Sequence, residues 1–320
     1  MDDSRMFPYV IVLILNWNNP QDTIVCLESV TKSDYPNFSV VVIDNGSTDN
    51  SVTMLRQSFP NLDIQELHSN FGYAEGNNIG MRYALSKRAD YLLILNNDTW
   101  VAQDMLNELV KYAVAHPAAG MVGPKVLCGM GKDILFASGS FINWHKGEIM
   151  HRGMFQVEDQ PSLSNPEDVD FIIGCGVLVS KALVTSVGML DARYYLNFED
   201  VEWSIRAKRE GFAVVYVPKA KMWHKVSASL GLASPMNTYY MTRNALLFFG
   251  SQSSGVWKII SILSILVRTL RTVAAWTFKQ EYKTKDYNGR RIANLYALRD
   301  YFLGRFGQMG SDVRKACLDL

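Results

Sequence analysis

No two of the four cysteines in this 320-residue chain, Cys26, Cys128, Cys175 and Cys317, form a C-x-x-C pair. That absence argues against a zinc cluster and a disulfide framework and favours a reduced, cytoplasmic setting. Charge of one sign is not in excess either. The 32 basic residues face 31 acidic ones, a formal net charge of +1, whereas a general nucleic-acid binder carries a clear basic surplus. With 48% hydrophobic and 20% charged residues, the composition excludes a disordered chain and a polytopic membrane protein. The first apolar run, Tyr9 to Leu15, is too short for a signal-peptide core and has no cleavage site, so no export is expected. Glycine loops for phosphate are missing too. There is no G-x-x-x-x-G-K-[ST], and Gly72, Gly76 and Gly80 have neither the spacing nor the position of a dinucleotide fingerprint.

What is present is a regular alternation. Val10–Leu15, Val40–Ile43 and Tyr91–Leu95 are short, unbroken, β-rich runs of the kind that form buried parallel strands. Helical spacing lies between and after them. Asn19-Pro20 supplies an N-cap and a first-turn proline ahead of Ile24, Leu27 and Val30, and Ser47-Thr48-Asp49 can cap a helix carrying Val52, Leu55 and Phe59. Asp104 opens a third helix with Leu106, Leu109, Val110 and Ala113 on one face. This grammar predicts an open α/β sheet with its ligand beyond the carboxyl ends of the strands. Residues from about 120 to 170 read as irregular strands and loops over the sheet, including the polar run Gln156 to Asp170. Phe171–Ser180 reads as a further strand, Phe198–Arg206 as the start of a helix, and Phe212–Val217 as a last strand.

Each of the first three strands ends in polar residues: Asn16-Trp-Asn18, Asp44-Asn45 through Asp49, and Asn96-Asn97-Asp98. Asp98 just past a buried strand suits a divalent cation that takes oxygen ligands from a carboxylate and a diphosphate; the simpler reading is an Asx turn. Asp44 could accept the N3–H of a uracil or thymine ring, or else cap a helix, for which Ser47, Thr48 and Asp49 already stand ready. In Asn70-Phe-Gly72 through Gly80, small and amide residues allow close approach to a ligand or simply cap a helix.

Taken together, Asp44-Asn-Gly-Ser-Thr-Asp49, Asn70-Phe-Gly72, Asn77-Asn78, Leu95-Asn-Asn-Asp98, Gly174-Cys-Gly176 and Phe198-Glu-Asp200, in this order, resemble a family 2 inverting glycosyltransferase of the GT-A fold. The similarity is greatest to bacterial rhamnosyltransferases that build surface polysaccharides, and it spans roughly residues 8 to 250. It implies a GT-A catalytic domain over residues 1–250 with a helical extension over 251–320. The activity implied is transfer of L-rhamnose from dTDP-rhamnose, or of another sugar from a UDP-sugar, to a hydroxyl of a lipid-linked or growing polysaccharide. A nucleotidyltransferase is the rival enzyme, although Asn16–Pro20 lacks the glycine and basic residue that its loop needs. A non-catalytic nucleotide-sugar-binding module is a third reading.

Carried onto this chain, the resemblance implies that Asn16, Asn18, Asp44, Asn45, Asn70, Gly72, Asn77, Asn97 and Asp98 bind the donor. Gly174, Cys175, Gly176, Glu199 and Trp223 would then meet the acceptor. Asp98 and His224 would hold Mg2+ or Mn2+, although the usual Asp-x-Asp reads Asn96-Asn97-Asp98 here. An inverting transfer needs one base to take the acceptor hydroxyl's proton, and the resemblance assigns it to Asp200. The residues by themselves leave Glu199, Asp200 and Glu202 open, since all are first-turn acids favoured at a helix start. Helical geometry separates Asp200 by about 100° from Glu199. Tyr195 and Trp223 could stack on sugar rings or fill a core.

The charge balance is uneven along the chain. From residue 251 onward there are 12 Lys and Arg against 5 Asp and Glu, net +7, leaving 20 against 26, net −6, in the first 250. Val256 to Phe278 is the most apolar stretch, yet Lys258, Ser261, Ser264, Arg268, Arg271, Thr272 and Lys279 share an arc of about 140° on a helix. Such a helix is expected to lie on the inner face of a bacterial cell membrane without crossing it. Lys283, Lys285, Arg290 and Arg291 would extend the attraction through residue 291. The alternative partner for the same face is the catalytic domain or a second copy in a homodimer.

Overall fold

The apolar runs become neighbouring strands, and their pairing brings the polar ends together. β1 (Val10–Asn16) pairs in parallel with β2 (Phe38–Asp44), setting Asn16 opposite Asp44. A short β3 (Asp63–Glu66) extends that edge, and β4 (Tyr91–Asn96) lies parallel to β1 on its other side. The computed structural model describes residues 7–129, 133–158, 163–225 and 234–318. Residues 159–162 of the polar run read from the sequence lie outside them.

Helices follow the strands as expected, with differences at their ends. α1 (Pro20–Val30) starts at its proline, but the Asn19 side chain donates to Asp22 at 2.8 Å and does not cap. α2 (Ser51–Ser58) has Asn50 at its N-cap position, and within the expected capping trio it is Asp49 that accepts from the Ser51 amide at 3.0 Å. The Asn70–Gly80 stretch is mostly helix: α3 (Gly72–Ser86) uses small residues to approach the sheet. A Cβ on Gly76 would meet Leu15 at 2.8 Å and one on Gly80 would meet Ile43 at 3.0 Å. Beyond the short strand β5 (Thr99–Val101), α4 (Met105–Ala115) buries Leu106, Leu109, Val110 and Ala113.

The start of the stretch expected to lie over the sheet as strands and loops is instead part of the sheet. It is a ten-residue strand, β6 (Ala119–Cys128), inside the sheet. Its glycines suggest a loop, yet a Cβ on Gly123 would stand 2.3 Å from Ile172 and one on Gly120 2.6 Å from Leu183. They are sites where a neighbour rests directly on the backbone. After β7 (Leu135–Ala137), a ribbon of β8 (Ser140–Asn143) and β9 (Glu148–His151), and β10 (Glu167–Asp168), the chain enters β11 (Gly176–Ser180). β11 is shorter than expected and antiparallel to both β4 and β6. After α5 (Lys181–Val187) and α6 (Glu199–Arg209), β12 (Ala213–His224) runs past a register shift near Pro218 to end on His224. Among the described residues the main sheet has the order β10-β12-β6-β11-β4-β1-β2-β3, with β5 on β12 and β7 on β6. Alternate residues of β1 bury on opposite faces: Val10, Val12 and Ile14 with α1 and α4, Ile11 and Leu13 with α3 and Trp203.

The chain divides into two compact units. One consists of residues 1–141, 151–190 and 203–226, the other of 142–150, 191–202 and 227–320. The boundary expected at residue 250 falls inside the second unit, within α7 (Pro235–Gln252). α7 packs against α8 (Gly255–Phe278) and α9 (Lys285–Phe302). Tyr239 and Tyr240 join Ala293, Ala297 and Val313 of α9 and α10 (Ser311–Leu318) in one apolar seam, so α7 belongs with the C-terminal helices.

Within that unit α8 turns Ser261 and Arg268 of its polar arc toward the protein, while Lys258, Arg271 and Lys279 stay exposed. Ser261, Ile265 and Thr269 are its buried residues, and Arg268 donates to Glu148 at 2.7 Å and to the carbonyls of Lys146 and Gly147 at 3.2 and 3.0 Å. Val256, Ile259, Ile260, Leu263, Val267, Leu270 and Phe278 are left exposed. Two of the expected lipid-facing cations are engaged in packing. The Arg290 guanidinium lies 4.7 Å from the Trp276 ring, and Arg291 donates to Asn288 at 2.6 Å; Lys283 and Lys285 stay exposed.

Candidate active site

In the first unit, the ends of β1, β2 and β4 build one hydrogen-bonded cluster. Parallel pairing fixes Asn16 beside Asp44, and both are buried at 0% and 2% exposure. Asn16 Nδ2 donates to Asp44 Oδ2 at 2.7 Å, while Ser47 donates its amide to Oδ1 at 2.9 Å and its hydroxyl to Oδ2 at 2.7 Å. Asp44 therefore caps the turn at Ser47 and no helix. A carboxylate offers about four lone-pair directions; three are filled, and one on Oδ1 remains for a ligand donor. Asn18, at φ 50°, locks the same turn: its amide donates to Ser47 Oγ at 2.9 Å and its Oδ1 accepts from the Thr48 amide at 2.7 Å.

Asn97 and Asn45 are brackets around this cluster. Asn97 Nδ2 donates to Thr23 Oγ1 at 3.0 Å, and Thr23 donates to Asn16 Oδ1 at 2.7 Å. Sequence reasoning missed Thr23 because, inside an amphipathic helix, it reads as packing. Asn45 Nδ2 donates to Asn70 Oδ1 and the Gly72 carbonyl, both at 3.1 Å, and Asn45 Oδ1 accepts from the Phe71 amide at 3.0 Å. Asn70 Oδ1 also accepts from the Gly72 amide at 2.7 Å. Gly46 allows the two loops to approach, since a Cβ there would lie 2.4 Å from the Ser69 backbone. Asn77 is buried at 1% exposure inside α3 and donates to the Tyr73 carbonyl at 2.9 Å, and its Oδ1 has no protein partner. Asn78 instead clamps Leu190, donating to its carbonyl and accepting from its amide at 2.9 and 3.0 Å.

At the end of β4, Asp98 meets the end of β12. Antiparallel pairing of β5 with β12 sets His224 opposite Thr99, and His224 Nε2 lies 3.0 Å from Asp98 Oδ1. His224 Nδ1 is buried without a partner among the described residues. Among the described residues no third His, Cys, Asp or Glu joins them. The expected acceptor residues nearby are mainly packed: Cys175 is buried, a Cβ on Gly176 would collide with Met222 Sδ at 2.3 Å, and the Gly174 carbonyl accepts from the Tyr73 hydroxyl. Trp223 packs on Leu127, Leu135 and Leu163, with its indole N–H buried and unpartnered.

The carboxylates of α6 separate by burial, in the second unit. Glu199 and Glu202 are 4% and 5% exposed, whereas Asp200 is partly exposed. Glu202 accepts from Gln252 at 3.3 Å, and Asp200 Oδ1 accepts from the Val201 amide at 2.8 Å. Glu199 Oε2 is buried with no partner; burial first, and the neighbouring Asp200 second, push its carboxyl well above the usual range. The three acids thus have unlike environments, with Asp200 the more accessible. Tyr195 stacks on Tyr240 at 5.3 Å between centroids, so its ring is committed to packing.

Comparison with known proteins gives the family and the fold. The family model described as Glycosyl transferase family 2 matches residues 11–179, just over half of the chain. A dTDP-rhamnosyl transferase, RfbF, of Shigella flexneri is 26% identical over 272 residues, covering 80% of this chain and 86% of that protein. An N-acetylglucosaminyl-diphospho-decaprenol L-rhamnosyltransferase of Mycobacterium tuberculosis is 25% identical, over 69% of this chain and 77% of its own. In fold, the chain resembles a mannosyltransferase from Pyrobaculum calidifontis solved with GDP-Man and Mn2+. The TM-score is 0.56 at 15% identity, covering 93% of this chain and 88% of that one. TarS of S. aureus, solved with UDP-GlcNAc, gives a TM-score of 0.54 at 15% identity, with 93% and 89% covered. The expected GT-A fold stands.

Proposed function

Since the chain belongs to glycosyl transferase family 2 and is a glycosyltransferase, we propose that it moves L-rhamnose from dTDP-rhamnose to a hydroxyl of a lipid-linked or growing glycan. The observation that carries this choice is the similarity to a dTDP-rhamnosyl transferase over 80% of the chain. A lipid-linked acceptor is supported by the decaprenol-linked relative. The nucleotidyltransferase reading is set aside with the family assignment. A UDP-sugar remains the second reading, because the open lone pair of Asp44 would accept the N3–H of thymine and uracil alike.

The residues divide the work by their chemistry. Asp44, which accepts from three donors, reads the base, and Asn16, Asn18 and Asn45 hold the loops around it. Asp98 and His224 fit a divalent cation, Mg2+ or Mn2+: a carboxylate oxygen and an imidazole nitrogen already face each other at 3.0 Å, and diphosphate oxygens would complete the set. When bound, such a cation offsets charge on the departing diphosphate. Asp200 takes the proton of the attacking hydroxyl in a single displacement that inverts the anomeric carbon. Its partial exposure beside two buried glutamates supports that role over theirs.

The enzyme works at the cytoplasmic face of the membrane in this reading, with α8 lying on the lipid. Its 24 residues are long and apolar enough to cross a bilayer. Arg268 and Ser261, however, are tied to the protein on one side of the helix, which favours surface docking.

The experiment is to supply a lipid-linked glycan acceptor with dTDP-rhamnose or with UDP-sugars and to follow product by mass spectrometry. Rhamnose transfer is expected. Turnover with a UDP-sugar and none with dTDP-rhamnose would install the second reading.

A further inference from the structure

The backbone that delivers Asp200 runs uphill. Within the second unit, Tyr195, Asn197 and Phe198 have φ of 63°, 67° and 74°, so three non-glycine residues immediately before α6 occupy the left-handed region. Each has a Cβ that disfavours that conformation, and such a segment persists only where its surroundings hold it.

What holds it is a pair of fully buried polar residues on α7. Asn244, at 0% exposure, donates to the carbonyls of Tyr194, Leu196 and Asn197 at 2.8, 2.8 and 2.9 Å. Its Oδ1 accepts from Arg243 Nε at 3.0 Å, which fixes the amide's orientation. Arg243, also at 0% exposure, donates to the carbonyls of Arg193 and Tyr194 at 3.4 and 3.3 Å and to that of Gly307 at 2.8 Å. The Gly307 amide in turn donates to the Arg193 carbonyl at 2.7 Å. The guanidinium lies 5.1 Å from the ring centroids of both Tyr239 and Tyr240, and the Tyr239 hydroxyl donates to the buried Asp300 at 2.7 Å. Most of the donors of a buried cation and a buried amide are thus spent on the carbonyls of one strained loop and on the C-terminal segment beside it.

We propose that Arg243 and Asn244 are positioning residues that set the entry into α6 and so aim the Asp200 carboxylate. The C-terminal segment at Gly307 is part of the same clamp. This inference rests on the reading of Asp200 as base. Arg243 and Asn244 act through backbone, not on substrate. A carboxylate displaced by about 1 Å loses roughly 10²-fold in rate, so the clamp should govern turnover and leave donor affinity alone.

The test uses the full chain carrying Asn244→Ala, Arg243→Lys, Asp200→Asn and the Asn244→Ala/Asp200→Asn pair, with melting temperatures measured alongside kcat and donor KM. Asp200→Asn alone should lower kcat by about 10² to 10⁴. Asn244→Ala should lower kcat by about 10- to 100-fold with donor KM held within about two-fold, and it should cost little more in the Asp200→Asn background, where no base remains to be aimed. Arg243→Lys keeps the charge but loses the fork, and should repeat the pattern if Asn244→Ala does not fold. Undiminished kcat in a folded clamp variant, or equal losses in both backgrounds, would overturn the clamp while leaving the base assignment intact. Full turnover by Asp200→Asn alone would overturn the base assignment, and the clamp's proposed purpose with it.

Discussion

His224 Nε2 lies 3.0 Å from Asp98 Oδ1, and the two residues reach each other from the ends of β12 and the β4–β5 turn. The sheet order makes this meeting: β5 pairs antiparallel with β12, so the residue before Thr99 is brought to the last residue of β12. If the pair holds a cation against the donor diphosphate, Asp98→Ala should abolish transfer and chelation by EDTA should suppress it. His224→Ala should raise the Mn2+ concentration needed for half-maximal rate. A fully active Asp98→Ala enzyme would remove the pair from the mechanism.

Asp44→Asn tests the proposed base-reading role of this carboxylate. With its oxygen kept toward Asn16 Nδ2 and Ser47 Oγ, the new amide would set its NH2 against the Ser47 backbone N–H, which costs about 1–3 kcal/mol for a buried mismatch. Loss of a charged acceptor for a ring N–H should weaken dTDP binding by on the order of ten- to a hundred-fold. Calorimetric titration of dTDP measures it, and unchanged affinity would mean that Asp44 serves only the turn at Ser47.

Glu199 should leave a signature in the pH dependence of stability. Burial and the adjacent Asp200 raise its carboxyl in the folded state, so folding favours its protonated form. That contribution is fully present below the ordinary glutamate value of about 4.3 and is lost as pH rises through the elevated native one. Glu199→Gln removes the titration and keeps a neutral side chain. The melting temperature of the variant, relative to the parent, should climb as pH rises above the ordinary glutamate value of about 4.3. Parallel curves would show that Glu199 is ionised in the fold.

The sheet and the polar cluster at its edge were legible for a shared reason: a buried strand ending in Asn or Asp advertises both its hydrogen-bonded register and the edge where the polar residues gather. Asn16, Asp44 and Asp98 all follow from that. β6 was hidden because Gly120, Gly123 and Pro124 look like loop residues until Ile172 and Leu183 are seen resting on the backbone. Periodicity separated Asp200 from Glu199, but burial was needed to tell which one is shielded. Arg243 and Asn244 gave no signal, since their partners are carbonyls about 50 residues earlier in the chain. The polar arc of α8 was visible, while the docking of its Arg268 on the protein depends on Glu148 and two loop carbonyls.

That docking decides how the enzyme should meet a membrane. Helical spacing puts Val256, Ile259, Ile260, Leu263, Val267, Leu270 and Phe278 within about 100° of arc, all exposed, along a helix of 24 residues, about 36 Å long. Lys258, Arg271, Lys279, Lys283 and Lys285 are exposed on and after the same helix, each worth about 1 kcal/mol near an anionic surface and screened by salt. The protein should therefore co-sediment with phosphatidylglycerol vesicles more than with phosphatidylcholine ones, and salt should weaken the attachment without ending it, because the apolar stripe is insensitive to screening. Leu263→Asp with Val267→Asp charges the centre of the stripe without touching Ser261, Ile265 or Arg268, so the melting temperature should hold while binding to vesicles falls. If the double variant still binds vesicles as the parent does, α8 is not the contact. If it instead converts a dimeric parent to a monomer, a second copy of the chain covers the stripe in place of lipid.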